Sequence, residues 1–378
     1  MRRTAAVLSL VLALAACTSE APTEPSGPTV LSLDESVPVL TVGEDYDAVT
    51  RVPTELDGRA ASLAGWTADG TEIYVRHAHR AGRDAQDDDP YAVALVARDP
   101  RTGRTTVLSD RARRQGPVAR DRIPGNALQI GPVVVRGDLI AWTESRGIGP
   151  SGDLYVRDMD AGAERRLVRS RALAPDVAPV LRDGAVYFVG VEGDDLGRVP
   201  AQTSVYRVPA DGSGEPELVA PGATAVFGDL SAIASTPRHV LKVAFEDHVV
   251  DWDLTVGAEG EDDGTRLRAD CGVSAGEGVT VACAGEPQEL TIDTGNRRFV
   301  VTGASGRFAW LEANGRWVRF TVDDDGDQTQ YVFDVIGEKL LRVPAPRNLR
   351  GLQTTSYFLA VLASWDPDPT EPVIEFVD

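Results

Sequence analysis

The sequence predicts an all-β fold. Short runs of residues alternate between apolar and polar side chains along residues 29–378, and glycine, proline and aspartate separate one run from the next. Such alternation places every second side chain on one face of a strand. Beyond residues 1–17 we find no stretch with the 3.6-residue period of an amphipathic helix. The chain is therefore expected to consist of strands and turns.

A repeated unit is the second observation behind this prediction. Each copy has a turn, a strand, a loop, a second strand, an Asp/Gly turn and a third strand. The two clearest copies have strand segments at 139–142, 154–160 and 165–168, and at 185–188, 205–212 and 216–219. Further copies begin near residue 65 and near residue 307.

These copies resemble the blade repeats of TolB-type propellers, a WD40-like family. In that family a Leu/Ile-Tyr-Val/Arg strand leads to an Asp-Gly turn and a final Leu-Val/Thr. Leu154-Tyr155-Val156-Arg157 has the strand pattern, and Asp211-Gly212 with Leu218-Val219 has the turn and the ending. The resemblance covers most of residues 60–378 and implies a β-propeller, but it leaves function open.

The spacing of the copies predicts the number of blades. Six apolar positions taken as equivalent are separated by 67, 46, 47, 75 and 50 residues: Ile73, Ile140, Val186, Ile233, Phe308 and Phe358. A blade repeat has about 40 to 50 residues, so the two long intervals carry insertions, near 80–129 and 257–297. The prediction is a six-bladed propeller. The alternative is seven blades, with the second insertion forming a blade of its own.

The last copy predicts how the ring closes. It shows only two good strands, at 357–363 and 373–377. A closed ring must cover its strand edges, so a segment from 29–51, with 37–42 as the example, is expected to complete this blade.

The N-terminus predicts the location. Arg2 and Arg3 precede a short apolar run, and Leu14-Ala15-Ala16-Cys17 resembles the lipobox of bacterial lipoprotein precursors. The run is too short to span a bilayer. Residues 1–16 are thus expected to be a signal peptide, Cys17 the lipidated residue, 17–28 a flexible tether and 29–378 the propeller. The protein would be extracytoplasmic and held to the cell membrane by its lipid.

Two further cysteines fit that compartment. Cys271 and Cys283 lie twelve residues apart, and outside the cytoplasm such a pair is expected to form a disulfide. A bridge there would stabilise a local hairpin by about 2 to 3 kcal/mol. The alternative is a pair of buried thiols.

Charge excludes some partners. The chain has 38 basic and 58 acidic residues, a net charge of −20, which disfavours nucleic acid and anionic headgroups. Only Lys242 and Lys339 are lysines, and the remaining basic side chains are arginines. This usage, with the high alanine content, indicates a high-GC genome such as that of an actinobacterium.

Four aspartates suggest a calcium site. Asp323, Asp325, Asp327 and Asp334 have the spacing of a calcium loop, but Gln328 stands where that loop requires glycine, so an acidic hairpin tip is favoured and no metal is expected.

Gly272-Val273-Ser274-Ala275-Gly276 matches the Gly-x-Ser-x-Gly string of hydrolases, yet no helical pattern follows, which favours a glycine-rich loop. His77 and His79 have no identifiable third ligand and are interpreted as strand-end residues.

Trp66, Trp142 and Trp310 lie near predicted strand ends, where packing between blades is favoured over a ligand platform. No motif indicates a catalytic residue or a cofactor. Two functions remain: a binding module for an envelope protein or glycan, which we favour, and a propeller enzyme, a lyase or hydrolase acting on an envelope or extracellular polymer.

Overall fold

The computed structural model describes most of the region after the predicted tether. The described residues are 27–78, 92–112, 128–146, 152–169, 173, 177–191, 203–220, 223–226, 232–235, 240–244, 249–255, 272–276, 279–285, 287–314, 316–344, 347–351, 359–364 and 370–376. Their secondary structure is entirely strand and turn, with no helix, which confirms the all-β prediction.

The described strands pair into seven sheets, numbered I to VII along the chain. The N-terminal segment supplies β1 (Thr29–Ser32) and β2 (Tyr46–Pro53). Sheet I has β3 (Glu55–Leu56), β4 (Arg59–Trp66), β5 (Glu72–His77), β6 (Ala92–Arg98) and β7 (Thr105–Ser109). Sheet II has β8 (Leu128–Arg136), β9 (Leu139–Arg146), β10 (Gly152–Asp158) and β11 (Ala163–Val168). Sheet III has β12 (Val180–Arg182), β13 (Ala185–Val191), β14 (Thr203–Pro209) and β15 (Glu217–Ala220).

The later sheets follow the same plan. Sheet IV has β16 (Ala223–Val226), β17 (Ala232–Ser235), β18 (Val240–Ala244) and β19 (Val249–Thr255). Sheet V has β20 (Gly272–Gly276), β21 (Val279–Ala284), β22 (Glu289–Asp293) and β23 (Arg298–Thr302). Sheet VI has β24 (Arg307–Asn314), β25 (Trp317–Asp324), β26 (Asp327–Asp334) and β27 (Lys339–Arg342). Sheet VII has β28 (Arg347–Gly351), β29 (Leu359–Ser364) and β30 (Thr370–Phe376).

Within each sheet, strands that follow one another along the chain lie side by side and antiparallel. Successive sheets then pack face to face. Ile73 of sheet I shares a core with Ile140 of sheet II, and Phe299 of sheet V shares one with Phe320 of sheet VI. Strands such as β13 are therefore buried on both faces, as expected for a sheet covered on both sides.

Contacts between sheets run in a cyclic order. Described residues join sheet I to II, II to III, III to IV, V to VI, VI to VII, and VII back to I. One strand near the start of each of several sheets contacts its counterpart in the next sheet, as β4 with β8, β8 with β12 and β20 with β24. We call these the inner strands, because they lie on the inner side of the succession of sheets.

The N-terminal segment runs along the opposite, outer edges of three sheets, and we call residues 29–53 the N-terminal strap. Strand β1 pairs in parallel with β23. The Leu40 N–H donates to the Arg342 carbonyl at 2.9 Å, and the Arg342 N–H donates to the Pro38 carbonyl at 2.8 Å. Strand β2 then pairs antiparallel with β30.

This pairing confirms that the N-terminal segment completes the last sheet, but with a different stretch from the example given. The stretch 37–42 bridges to sheet VI, and Tyr46–Pro53 closes sheet VII. Pro38 has no N–H to give to a ladder, so this stretch is poorly suited to be the closing strand.

The assumed equivalence of strand positions is wrong at Phe308. Ile73, Ile140 and Val186 lie on β5, β9 and β13, the strands next to the inner strands β4, β8 and β12, whereas Phe308 lies on β24, itself an inner strand. Both kinds of strand carry the same two-residue alternation, so the pattern cannot distinguish them. Residues 272–297 of the predicted second insertion supply most of sheet V.

Candidate ligand-binding site

Trp310 is the most conspicuous surface side chain in the described part of the chain. It lies on β24 with 71% of its surface exposed. Its backbone has φ of 52°, in the left-handed region that bulky residues rarely adopt. We therefore take this residue as the centre of the candidate site.

A β-bulge produces this geometry. Ala309 pairs with Thr321 and Glu312 pairs with Arg319, so Trp310 and Leu311 together face the single residue Phe320. In such a bulge the residue with positive φ is commonly glycine. An L-residue with a side chain pays about 1 to 2 kcal/mol for this conformation. A largely exposed indole recovers little of that cost through packing.

One ion pair lies two residues further along the same strand. The Arg319 Nη2 atom is 2.6 Å from the Glu312 Oε2 atom across the β24–β25 pair. The two side chains keep 29% and 18% of their surfaces exposed, for Glu312 and Arg319 respectively. The β24–β25 pair next to the bulge thus carries a hydrogen-bond acceptor and a donor, with opposite charges that offset each other.

The strand that holds Trp310 is fixed at both ends. Near its C-terminal end the Ala313 N–H donates to the Ser274 Oγ atom of β20 at 3.2 Å. Just before its start, a Cβ on Gly306 would lie 2.1 Å from the Asp323 carbonyl oxygen, so no other residue fits there without a shift of the backbone. The bulge therefore lies in a strand that is closely packed against its neighbours at both ends.

A second polar cluster lies between sheets I and II. Arg111 donates from Nε and Nη2 to the two Glu144 carboxylate oxygens, at 2.9 and 2.7 Å, and its Nη1 also donates to Glu164. Trp142 Nε1 and Ser109 Oγ donate to the same Glu144 oxygen, each at 2.9 Å. This carboxylate is buried and fully engaged.

The Arg111 guanidinium also stacks against an aromatic ring. Its Cζ atom lies 3.9 Å from the Tyr155 ring centroid, and Tyr155 stacks on Trp142 at 5.6 Å. Burial lowers the pKa of Arg111, but hydrogen bonds to Glu144 and Glu164 outweigh it and raise the pKa overall. Burial raises the pKa of the Tyr155 hydroxyl, because it disfavours the charged phenolate. We call Arg111 and Glu144 the sheet clamp, because their contacts join sheets I and II.

A shallow pocket of about 370 Å³ lies on sheet III, lined by Asp183, Gly184, Ala185, Tyr187, Arg207 and Pro209. The Arg207 Nη2 atom donates to Glu217 at 3.0 Å. A hydrogen bond with Tyr187, followed by the bond to Glu217, raises the pKa of Arg207. The Arg207 guanidinium is therefore already engaged in hydrogen bonds with neighbouring side chains.

The four aspartates of the calcium pattern are not brought together. Asp325 and Gly326, both with positive φ, form the turn between β25 and β26, as the hairpin-tip interpretation predicted. Asp323 accepts hydrogen bonds from Gln328 and the Gly326 N–H, which lower its pKa. Asp334 lies at the other end of β26, about 20 Å away along the strand, and pairs with Arg316.

The Gly-x-Ser-x-Gly string forms strand β20, so the expected glycine-rich loop is wrong. Ser274 is buried and pairs across the ladder with Val281, a geometry unlike a nucleophile turn. His77 ends β5, with its Nε2 atom 3.4 Å from Ser62 Oγ. His79 lies outside the described residues.

The lipidation of Cys17 and the Cys271–Cys283 disulfide remain predictions. Cys17, like the signal peptide and nearly all of the tether, lies outside the described residues, and so does Cys271. Cys283 is buried on β21 and pairs with Gly272, the residue that follows Cys271.

The three tryptophans have different environments. Trp142 is buried between sheets, and Trp66 packs at the edge of a core, as expected. The packing interpretation is wrong for Trp310. The sequence contains one signal for this: Phe308 to Leu311 is apolar without alternation, which is where a bulge interrupts the two-residue period.

Within the described residues, no group of three or more His, Cys, Asp or Glu side chains could hold a metal ion. In the same residues there is no helix long and apolar enough to cross a membrane.

Two solved structures are similar to this chain. A prolyl endopeptidase structure matches 86% of this chain and 51% of its own, with 14% identity and a TM-score of 0.53. The β-propeller domain of the Trilobed protease from Pyrococcus furiosus, which has an open velcro topology, matches 80% of this chain and 88% of its own, with 9% identity and a TM-score of 0.48. The chain spans about half the length of the prolyl endopeptidase.

No protein-family model and no curated protein matches the sequence. The likeness to the prolyl endopeptidase, at 14% identity, concerns the fold and nothing else. Together with the cyclic packing of the described sheets, it places the chain in the β-propeller class.

Proposed function

We propose that this chain is a lipid-anchored, extracytoplasmic β-propeller of the TolB type that binds an envelope protein or glycan. Trp310 is the observation that carries the binding role. A strained and largely exposed indole contributes little to folding, and such positions are typical of functional sites. Each of the seven sheets would be one blade, so the propeller is proposed to have seven.

The N-terminal strap supports the anchored arrangement. Thr29 lies on the outer edge of sheet V, because β1 is the edge strand opposite β20. A tether that precedes Thr29 would therefore extend from the outer rim of the propeller. The inner strands, which include β24 with Trp310, would then stay clear of the attachment point.

Anchoring is tested by Cys17→Ser in the full-length chain, expressed in a bacterial host fed with radiolabelled palmitate. We expect loss of the label and of the membrane-bound pool after a carbonate wash, because no other residue is placed to take the lipid. Ser19→Ala is the matched control and should keep both. A labelled Cys17→Ser variant would contradict the anchor.

Binding is tested with the full-length protein in detergent, immobilised and exposed to solubilised envelope. We expect retained material from wild type and less from Trp310→Gly. Protease treatment of one envelope sample and periodate treatment of another separate protein ligands from glycans. Wild type that retains nothing above a blank resin would contradict the binding role.

A further inference from the structure

We propose that Trp310 is a stacking platform for an uncharged sugar ring. This inference rests on the proposed binding function and names its site and ligand class. Fold stability does not account for a tryptophan at this position. The backbone conformation favours glycine, and the indole leaves most of its surface in solvent.

The exposed apolar footprint formed by the described side chains around Trp310 is small. Among the described residues of β20, β24 and β25, Trp310 is the one large apolar side chain that is exposed. Protein partners are generally recognised over a wider surface, with a central hot spot enclosed by further contacts. A single flat ring instead matches the apolar face of one sugar unit, with polar groups needed only at its rim.

The neighbouring charges favour an uncharged sugar. Glu312 and Arg319 can accept from and donate to hydroxyl groups, while their mutual ion pair leaves little net charge on this stretch of the β24–β25 pair. The whole chain has a net charge of −20, which repels anionic polymers. Acidic glycans are therefore expected to bind more weakly than neutral ones.

The test is calorimetric titration of the full-length protein in detergent with cellohexaose, mannohexaose and chitohexaose, and with an oligogalacturonate as the anionic comparison. We expect at least one neutral hexasaccharide to bind more tightly than the oligogalacturonate. Trp310→Gly should weaken that binding about tenfold or more, and Trp310→Phe, which keeps an aromatic face, should weaken it less.

Stability measurements separate a binding role from a structural one. Trp310→Gly should leave the thermal midpoint within about 2 °C of wild type or raise it, because it relieves the left-handed strain and removes little packing. Asp325→Gly is the matched control, since Asp325 has φ of 51° on the same sheet. It should keep both stability and sugar binding.

Three results would overturn the inference. These are no binding of any neutral hexasaccharide up to about 10 mM, unchanged binding by Trp310→Gly, or tightest binding of the oligogalacturonate. If Trp310→Gly instead loses an envelope protein, the sugar inference fails while the proposed binding function stands. If wild type retains nothing from the envelope, the binding function itself fails.

Discussion

Val52→Ala should measurably weaken the closure of the propeller ring. Val52 lies on β2, the strand that completes sheet VII, and it is 1% exposed. Its side chain packs in one core with Tyr74 of sheet I and Val373 of sheet VII. The substitution therefore removes apolar contacts at the interface between sheets VII and I.

The expected cost follows from the deleted atoms. Valine to alanine removes two methyl-sized groups, each worth about 0.8 kcal/mol when buried, and the cavity left behind adds to this. We expect the free energy of unfolding to fall by about 2 kcal/mol. Val49→Ala on the same strand is the matched control, because Val49 is 49% exposed and the loss there should stay below about 0.5 kcal/mol.

Equilibrium unfolding in urea, followed by tryptophan fluorescence, measures both variants. The Val52→Ala midpoint should shift to lower urea with an unchanged slope, and the Val49→Ala midpoint should stay near wild type. Equal midpoints for the two variants would refute the packing of β2 between sheets VII and I.

Two further predictions concern the sheet clamp and the cysteines. Glu144→Ala should lower the free energy of unfolding in urea by about 3 kcal/mol, because the partly buried Arg111 loses its main partner. The control is Glu217→Ala in the exposed Arg207 pair, which should lower it by less than about 0.5 kcal/mol. Similar losses in the two variants would contradict a stabilising role for the Arg111–Glu144 pair. Peptide mapping without reduction should recover Cys271 linked to Cys283, and alkylation of both thiols in the native, unreduced protein would contradict the disulfide.

The strand pattern was predictable because it is a local property. Leu154 to Asp158 and Val205 to Pro209 form β10 and β14 where the repeat placed them, since alternating side chains and Asp/Gly turns favour strands and tight reversals in isolation. The position of Phe308 was misassigned, because the inner strands and the strands next to them carry the same period.

The candidate site was harder to predict. Trp310 looked like a packing residue, since its sequence neighbourhood is apolar. Its exposure depends on one extra residue in β24 relative to β25, and a pairing register is not visible in either strand by itself. The Arg111–Glu144 clamp was missed for a similar reason, because the two residues are brought together by packing between sheets.

The all-β composition, the repeat and the pairing of the N-terminal segment with the last sheet were all predictable from the sequence alone. These follow from side-chain period, turn residues and the need to pair open strand edges. Three features became visible only in the folded chain: which residues complete sheet VII, which carboxylates pair with arginines, and which tryptophan faces solvent. Those outcomes depend on contacts between segments far apart in the chain, where register and packing select among patterns that are locally equivalent.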